Sequence, residues 1–200
     1  MFTYKVINTK DYKSHRWFYT ASGMLVIGGK NESQNELVLK NFLKPNYIVV
    51  HTSAPGSPFM IIQSDSPNNQ DIVEAGIFCA CFSKQWKNLK NQNEKISIDI
   101  FKGNQIYKAR KMKIGSFVIK GKIKKVVVKP ELVLVIQSEN LRAVPKVKRK
   151  EKILAKITSG KLSKEKAVEK ICEIIKNQFN ITKEEIMQAI PSDKLSINKK

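Results

Sequence analysis

The side chains able to do chemistry gather in two stretches. Residues 16–59, RWFYTASGMLVIGGKNESQNELVLKNFLKPNYIVVHTSAPGSPF, hold Arg16 beside two rings, the pair Gly28–Gly29, and His51 followed by Gly56 and Ser57. A guanidinium among aromatics suits phosphate contact and base stacking. Two glycines before a helix can bring backbone amides up to a phosphate. A histidine at a strand end can serve as a general base. The second stretch, Lys102 to Lys129, carries ten Lys or Arg and no Asp or Glu. Its densest part, Lys108, Arg110, Lys111 and Lys113, suits a polyanion.

Each feature has an ordinary structural explanation beside the functional one. His51 can be a satisfied hydrogen-bonding group, an RNA contact or a base, but no Ser, Cys or Asp stands at triad or metal spacing from it. His15 is the other histidine, so a histidine metal centre has little support. Gly28 and Gly29 match neither G-x-G-x-x-G nor a P-loop, and a tight strand exit explains them as well. Asn35 and Glu36 read as capping or strand-tethering groups. Cys79, Cys81 and Cys172 are an odd set, and Cys79 and Cys81 in the apolar GIFCACFS read as buried reduced thiols and not as a metal pair. No catalytic set, metal site or cofactor is expected. In a strand, Arg16 and Phe18 share one face and Trp17 takes the other, so RNA can meet only one side.

The elements that must hold these residues follow from periodicity. RWFYT and MLVIGG read as strands turning at Gly23, which can take a positive φ. Leu37, Val38, Phe42 and Leu43 repeat at helical spacing, with Ser33 or Asn31 as cap and Pro45 beyond the end. YIVVHT and PFMIIQ are strands around SAPGS. Residues 71–89, DIVEAGIFCACFSKQWKNL, read as one helix with Asp71 and Glu74 in its first turn and lysines at its end. KISIDIF alternates as a half-buried strand, GSFVIKG and KIKKVVVKP form a hairpin around Gly121–Lys122, and LVLVIQS is the last strand. Pro145 and the charge run 146–152 mark a linker. KILAKITSG, LSKEKAVEKICEIIKNQF with Ser163 as cap, and Thr182 with Glu185 as a capping box before IMQAI make a basic helical appendage.

The expected architecture is therefore α+β: a mostly antiparallel sheet with two main helices over 1–145, then a linker and small helices over 146–200. Apolar residues make up 42% of the 200, enough for a packed core, and no apolar run reaches membrane-spanning length. The first residues lack the apolar centre of a leader, so a mature cytoplasmic chain is expected. Net charge is +20, with +3 in residues 1–100 (11 basic, 8 acidic) and +17 in 101–200 (26 basic, 9 acidic). A lysine-rich composition explains abundant lysine, but not a 28-residue stretch without an acid.

The order of motifs resembles a family. An aromatic strand RWF running to a Ser-Gly turn, VIGGKNESQNEL, a strand ending in His51, PGS before a strand, a helix ending CFS, and QIYKARKMKIGSFVI resemble the NFACT-R domain over Arg16 to about Val135. That module is known from the NFACT proteins of ribosome-associated quality control and from stand-alone proteins. The resemblance implies an RNA-binding role with tRNA or ribosomal RNA as partner, the large ribosomal subunit among the sites of action, and Lys108, Arg110, Lys111 and Lys113 as the family's basic segment. The sequence holds no N-terminal NFACT domain, helix-hairpin-helix segment or long coiled coil. A partner protein supplying the missing NFACT parts is therefore expected. Two further classes stand beside this reading: a DNA-binding or architectural protein using the same basic face, and an RNA-modification enzyme or accessory subunit that His51 would serve.

Overall fold

The structure is a computed structural model and describes residues 11–175 and 181–199. The leader reading at residues 1–10, the end of the helix predicted over 162–179, and Lys200 lie outside the described residues.

Alternation of apolar residues on two sides builds the first layer. Strands β1 (Arg16–Tyr19) and β2 (Leu25–Gly28) pair antiparallel, Arg16 opposite Gly28, around Gly23 at φ +92°. Helix α1 (Glu32–Phe42) follows, capped by Asn31, whose Oδ1 accepts from the Gln34 amide at 2.8 Å. Then come β3 (Ile48–Thr52), β4 (Met60–Ile62), helix α2 (Asn69–Cys81), short helix α3 (Lys84–Asn88) and β5 (Ile96–Lys102). An excursion carries the two-residue strands β6 (Ile106–Tyr107) and β7 (Val118–Ile119), and β8 (Lys124–Val128) returns to the sheet. The six-stranded order is β1-β2-β4-β3-β5-β8, every pair antiparallel.

Both faces of the central strands are buried, which is why β2, β3 and β4 read as nearly unbroken apolar runs, while β5 alternates and β8 lies exposed at the edge. One face carries α1 over Trp17, Ile27, Val49, Ile61 and Phe101. The other carries Phe18, Val26, Met60, Ile62 and Ile98 against α2 and the C-terminal part of the chain. Phe18 stacks on Phe78, Phe78 packs on Phe82, and Arg16 lies over Phe82 at 4.4 Å. Residues Arg16 and Phe18 of β1 thus face Phe82, the C-cap of α2, and Phe78, four residues before it.

The second layer is a four-stranded sheet in the order β10-β9-β11-β12. It comprises β9 (Leu132–Gln137), β10 (Asn140–Pro145), β11 (Ala155–Leu162) and β12 (Leu195–Lys199), with helices α4 (Lys164–Ile175) and α5 (Lys183–Ala189) between the last two strands. The α+β class and the helices with their Ser163 and Thr182–Glu185 caps are as expected.

Four local readings are corrected. KILAKITSG is not helical: Ala155, Ile157 and Ser159 alternate inward on β11, where the β-branched Ile157 and Thr158 suit a strand. The division expected at 145/146 cuts this sheet, because β9 pairs with β10 on one side and with β11 on the other, Ala155 opposite Leu134. Residues 71–89 form two helices, since Ser83 Oγ donates back to Ala80 O at 2.8 Å and extended backbone there turns Trp86 into the core. The Gly121–Lys122 hairpin is absent. Strand β7 pairs with β6 and β8 with β5, while Gln105 Nε2 bridges Lys120 O and Lys122 O at 2.9 and 3.0 Å.

The supposed linker is also structural. Arg149 is fully buried, bonded to Glu74 at 2.9 Å and donating to Tyr19 O at 2.6 Å. Gln137 extends the edge of β1 with its amide, accepting from Tyr19 N and donating to Tyr19 O, both at 2.9 Å. Side chains from the second layer thereby take the place of the strand β1 lacks at its free edge.

Candidate nucleic-acid interface

Four of the residues singled out by sequence meet in one place. Arg16, Gly29, Gly56 and Ser57 line a cleft of about 510 Å³ at the start of α1. Strand β1 delivers Arg16 there, with its guanidinium over the Phe82 ring at 4.4 Å. Gly56, at φ +97°, turns the chain so that its carbonyl accepts from Lys84 N at 2.8 Å. A Cβ on Gly29 would collide with Asn35, so the strand exit can approach the helix this closely only as glycine. Asn35 in turn holds Phe59 N at 3.3 Å, the tether expected of it. Ser57 is buried and its Oγ accepts from Thr52 N at 3.0 Å, which fixes the turn.

The electrostatics of the cleft are one-sided. Lys30, Lys84 and Lys87 line it with Arg16, against Glu32 as the acid. Burial pushes the Arg16 guanidinium down to about 10, no carboxylate pairs with it among the described residues, and its Nε is buried without a hydrogen-bond partner. Burial and then the charges of Arg16 and Arg142 hold Lys30 below the ordinary lysine value. Burial and then Arg16 do the same to Lys164. Asn31 takes the Gln34 amide, while Glu32 and Ser33 sit in the first turn, where amides have no carbonyl within the helix to accept them. Cations of lowered pKa, an unpaired guanidinium nitrogen and a helix start are the features from which an anion site can be built.

Residues beyond the first layer contribute to this cleft. Ser192 lines it, Lys164 feels Arg16, and Asp193 anchors the wall by pairing with Lys87 at 3.8 Å and accepting from Trp86 Nε1, through its carbonyl, at 3.2 Å. Sequence reasoning missed Lys30, Lys84, Lys87 and Lys164. Lys84 and Lys87 looked like ordinary helix-end lysines, and only the break at Ser83 turns them toward Arg16.

Other singled-out residues lie elsewhere. Gly28 is buried against Met60, where a Cβ would strike the thioether, so its role is packing. His51 is half-buried outside the cleft, Nδ1 donating to Thr52 O at 2.7 Å with its ring on Phe59 at 4.5 Å; burial lowers its pKa. Both rings of the RWF cluster are core, Trp17 on one face of the sheet and Phe18 on the other, so neither can stack a base. Cys79 and Cys81 are buried free thiols whose pKa burial raises, Cys79 to about 12.

The basic stretch projects as the excursion between β5 and β8. Arg110, Lys111 and Lys113 are exposed, and none has an ion pair among the described residues. Lys108 differs. It pairs with Glu36, which also accepts from Gly115 N at 2.8 Å, and so Lys108 staples the excursion to α1.

Comparison with known proteins gives the same outline. A family model described as the NFACT protein RNA binding domain matches residues 14–121. The ribosome quality control complex subunit NEMF homolog of Drosophila melanogaster is 34% identical over 80 residues, covering 38% of this chain and 8% of that protein. The archaeal Rqc2 homolog aRqcH of Methanocaldococcus jannaschii is 31% identical over 120 residues, covering 56% of this chain and 17% of that protein. The chain thus spans less than a fifth of the length of these relatives. The solved C-terminal part of the fibronectin/fibrinogen-binding protein from Streptococcus suis shares the fold, with TM-score 0.52 and 19% identity over 58% of this chain and 45% of that one. A match over more than half of the chain places this protein in the NFACT-R family of RNA-binding domains.

Proposed function

We propose that this chain is an RNA-binding protein that holds tRNA or ribosomal RNA by its phosphates in ribosome-associated quality control. The observation that carries the proposal is Arg16. The half-buried Arg16 guanidinium has no carboxylate partner among the described residues and an unpartnered buried Nε, so burial penalises its charge in the free protein, and a bound phosphate supplies a counter-charge. The cleft receives one phosphate group of the backbone, and Arg110, Lys111 and Lys113 follow the chain outside it. Arg16 lies over the Phe82 ring at 4.4 Å and Phe78 packs tilted against it, which favours phosphate over base as the group the cleft takes.

The relatives named for ribosome quality control supply the setting, with the large ribosomal subunit or a partner protein as the proposed site of action. The arrangement around His51 favours binding over catalysis. The Thr52 carbonyl accepts from Nδ1 at 2.7 Å and the Ser57 backbone also bonds the ring, so backbone groups occupy the imidazole.

The test is direct titration of folded tRNA and of a DNA duplex of similar charge at one salt concentration. Tighter binding of the tRNA, lost in an Arg16→Met/Lys84→Ala variant, is the expected result. Equal affinity for the duplex would favour the DNA-binding alternative.

A further inference from the structure

A second depression lies along α1. Its volume is about 650 Å³, and its floor is formed by Leu37 and Leu43 of the helix side with Tyr107, Ile114 and Phe117 of the excursion. Ser33 borders both this groove and the Arg16 cleft, so the two adjoin at the first turn of the helix. The large hydrophobic side chains exposed among the described residues are Leu37 (48%), Tyr107 (38%), Ile114 (59%) and Val127. Three of these four line this groove. Such a concentration is what a binding site looks like, whereas scattered exposed apolar residues need no explanation.

The groove is built, not loosely open. Glu36 holds both Lys108 and Gly115 N, Phe117 packs edge-on to Phe59 at 5.4 Å, and Gln105 ties down the carbonyls on either side of Gly121. Lys120 covers one face of the Tyr107 ring at 4.5 Å, while Tyr107 also lines the groove. Around the apolar floor stand Lys40 and Lys108, with Arg110, Lys111 and Lys113 on the same excursion. The acid on the groove wall, Glu36, is already neutralised by Lys108.

We infer that this groove takes an unpaired nucleobase of the same RNA whose phosphate occupies the Arg16 cleft. The inference rests on the RNA-binding reading above and extends it. An apolar slot with an aromatic wall inside a rim of cations matches the two parts of a nucleotide, a flat ring and an anion. Continuity with the cleft across Ser33 places those parts within one molecule. A base inside an A-form duplex cannot reach such a slot, so the groove selects loops and ends over stems.

The test uses a mixed-sequence single-stranded RNA of twelve nucleotides and a blunt twelve-base-pair RNA duplex. Tyr107→Leu, Leu37→Ser and the pair combined are compared with the unchanged protein, each verified as folded by its melting transition. Losing one stacked base corresponds to a fall of about ten- to a hundredfold in affinity. The combined variant should lose that much on the single strand and less than about twofold on the duplex, and Tyr107→Trp should keep full affinity. Equal losses on both RNAs, or none on the single strand, would overturn the groove assignment while leaving the RNA reading intact. A variant that keeps its RNA affinity but loses self-association would assign the groove to a second copy of the chain and also overturn it. If the unchanged protein binds neither RNA, the RNA reading itself fails.

Discussion

At the scale of single residues, the cleft trades stability for binding. Arg16 loses hydration and gains only the Phe82 ring, so Arg16→Met should keep the packing and remove the unpaired charge. Thermal stability should stay the same or rise, while RNA affinity falls about tenfold or more, the worth of a charge-assisted hydrogen bond. Loss of stability in melting experiments, with affinity kept, would mean that Arg16 is structural. His51 makes a second prediction, from pH. Burial lowers its pKa below the unfolded value near 6.5, so below that pH the unfolded chain binds more protons. Stability from this group is therefore present above about pH 6.5 and lost as pH falls toward the folded pKa. His51→Asn should lose less stability than the unchanged protein between pH 7 and pH 5 in urea titrations. Parallel losses would contradict the assignment.

At the scale of elements, β1 is held at its edge by side chains from distant sequence. Removing one partner of a buried ion pair leaves the other charge stranded, at a cost of about 3–5 kcal/mol. Arg149→Ala should show that loss in chemical denaturation, and adding Glu74→Gln should restore much of it. A cost below about 1 kcal/mol would mean water reaches the pair. Period and caps were legible where local rules governed: the β1–β2 turn at Gly23, α1 with its Asn31 cap, and the Thr182–Glu185 box. They failed where distant partners decided. A charge run around Arg149 reads as solvated until Glu74 is seen opposite it, and KILAKITSG reads as helix until β9 offers an edge. The site followed the same division. Arg16, Gly29, Gly56 and Ser57 stood out by type, whereas Lys30, Lys84, Lys87 and Lys164 acquire meaning only from the Arg16 field.

At the scale of the whole molecule, the two layers share one core and one cleft. A fragment ending at residue 145 would expose the β9 edge and strip Ala155, Ile157, Ile171, Ile186 and Ile197 from the cluster around Phe78 and Leu134. It should aggregate or unfold without cooperativity, and a soluble fragment with a sharp melting transition would restore the division at 145/146. The basic field belongs to the same scale, because charge acts at a distance unless a site concentrates it. Arg110 and Lys111 are exposed, and alanine at 111 inherits the same left-handed φ of 71°, so the backbone cost does not change. The central claim is that RNA phosphates are gripped at defined places and not by net charge alone. The salt dependence of tRNA binding tests it most directly, measured for Arg110→Ala/Lys111→Ala beside Lys199→Ala/Lys200→Ala, two changes equal in charge. Each lost phosphate contact removes about 0.7 to 0.9 from the log–log slope. The first pair should flatten the slope by about 1.5 and weaken binding, the second should do much less, and equal effects would contradict the account.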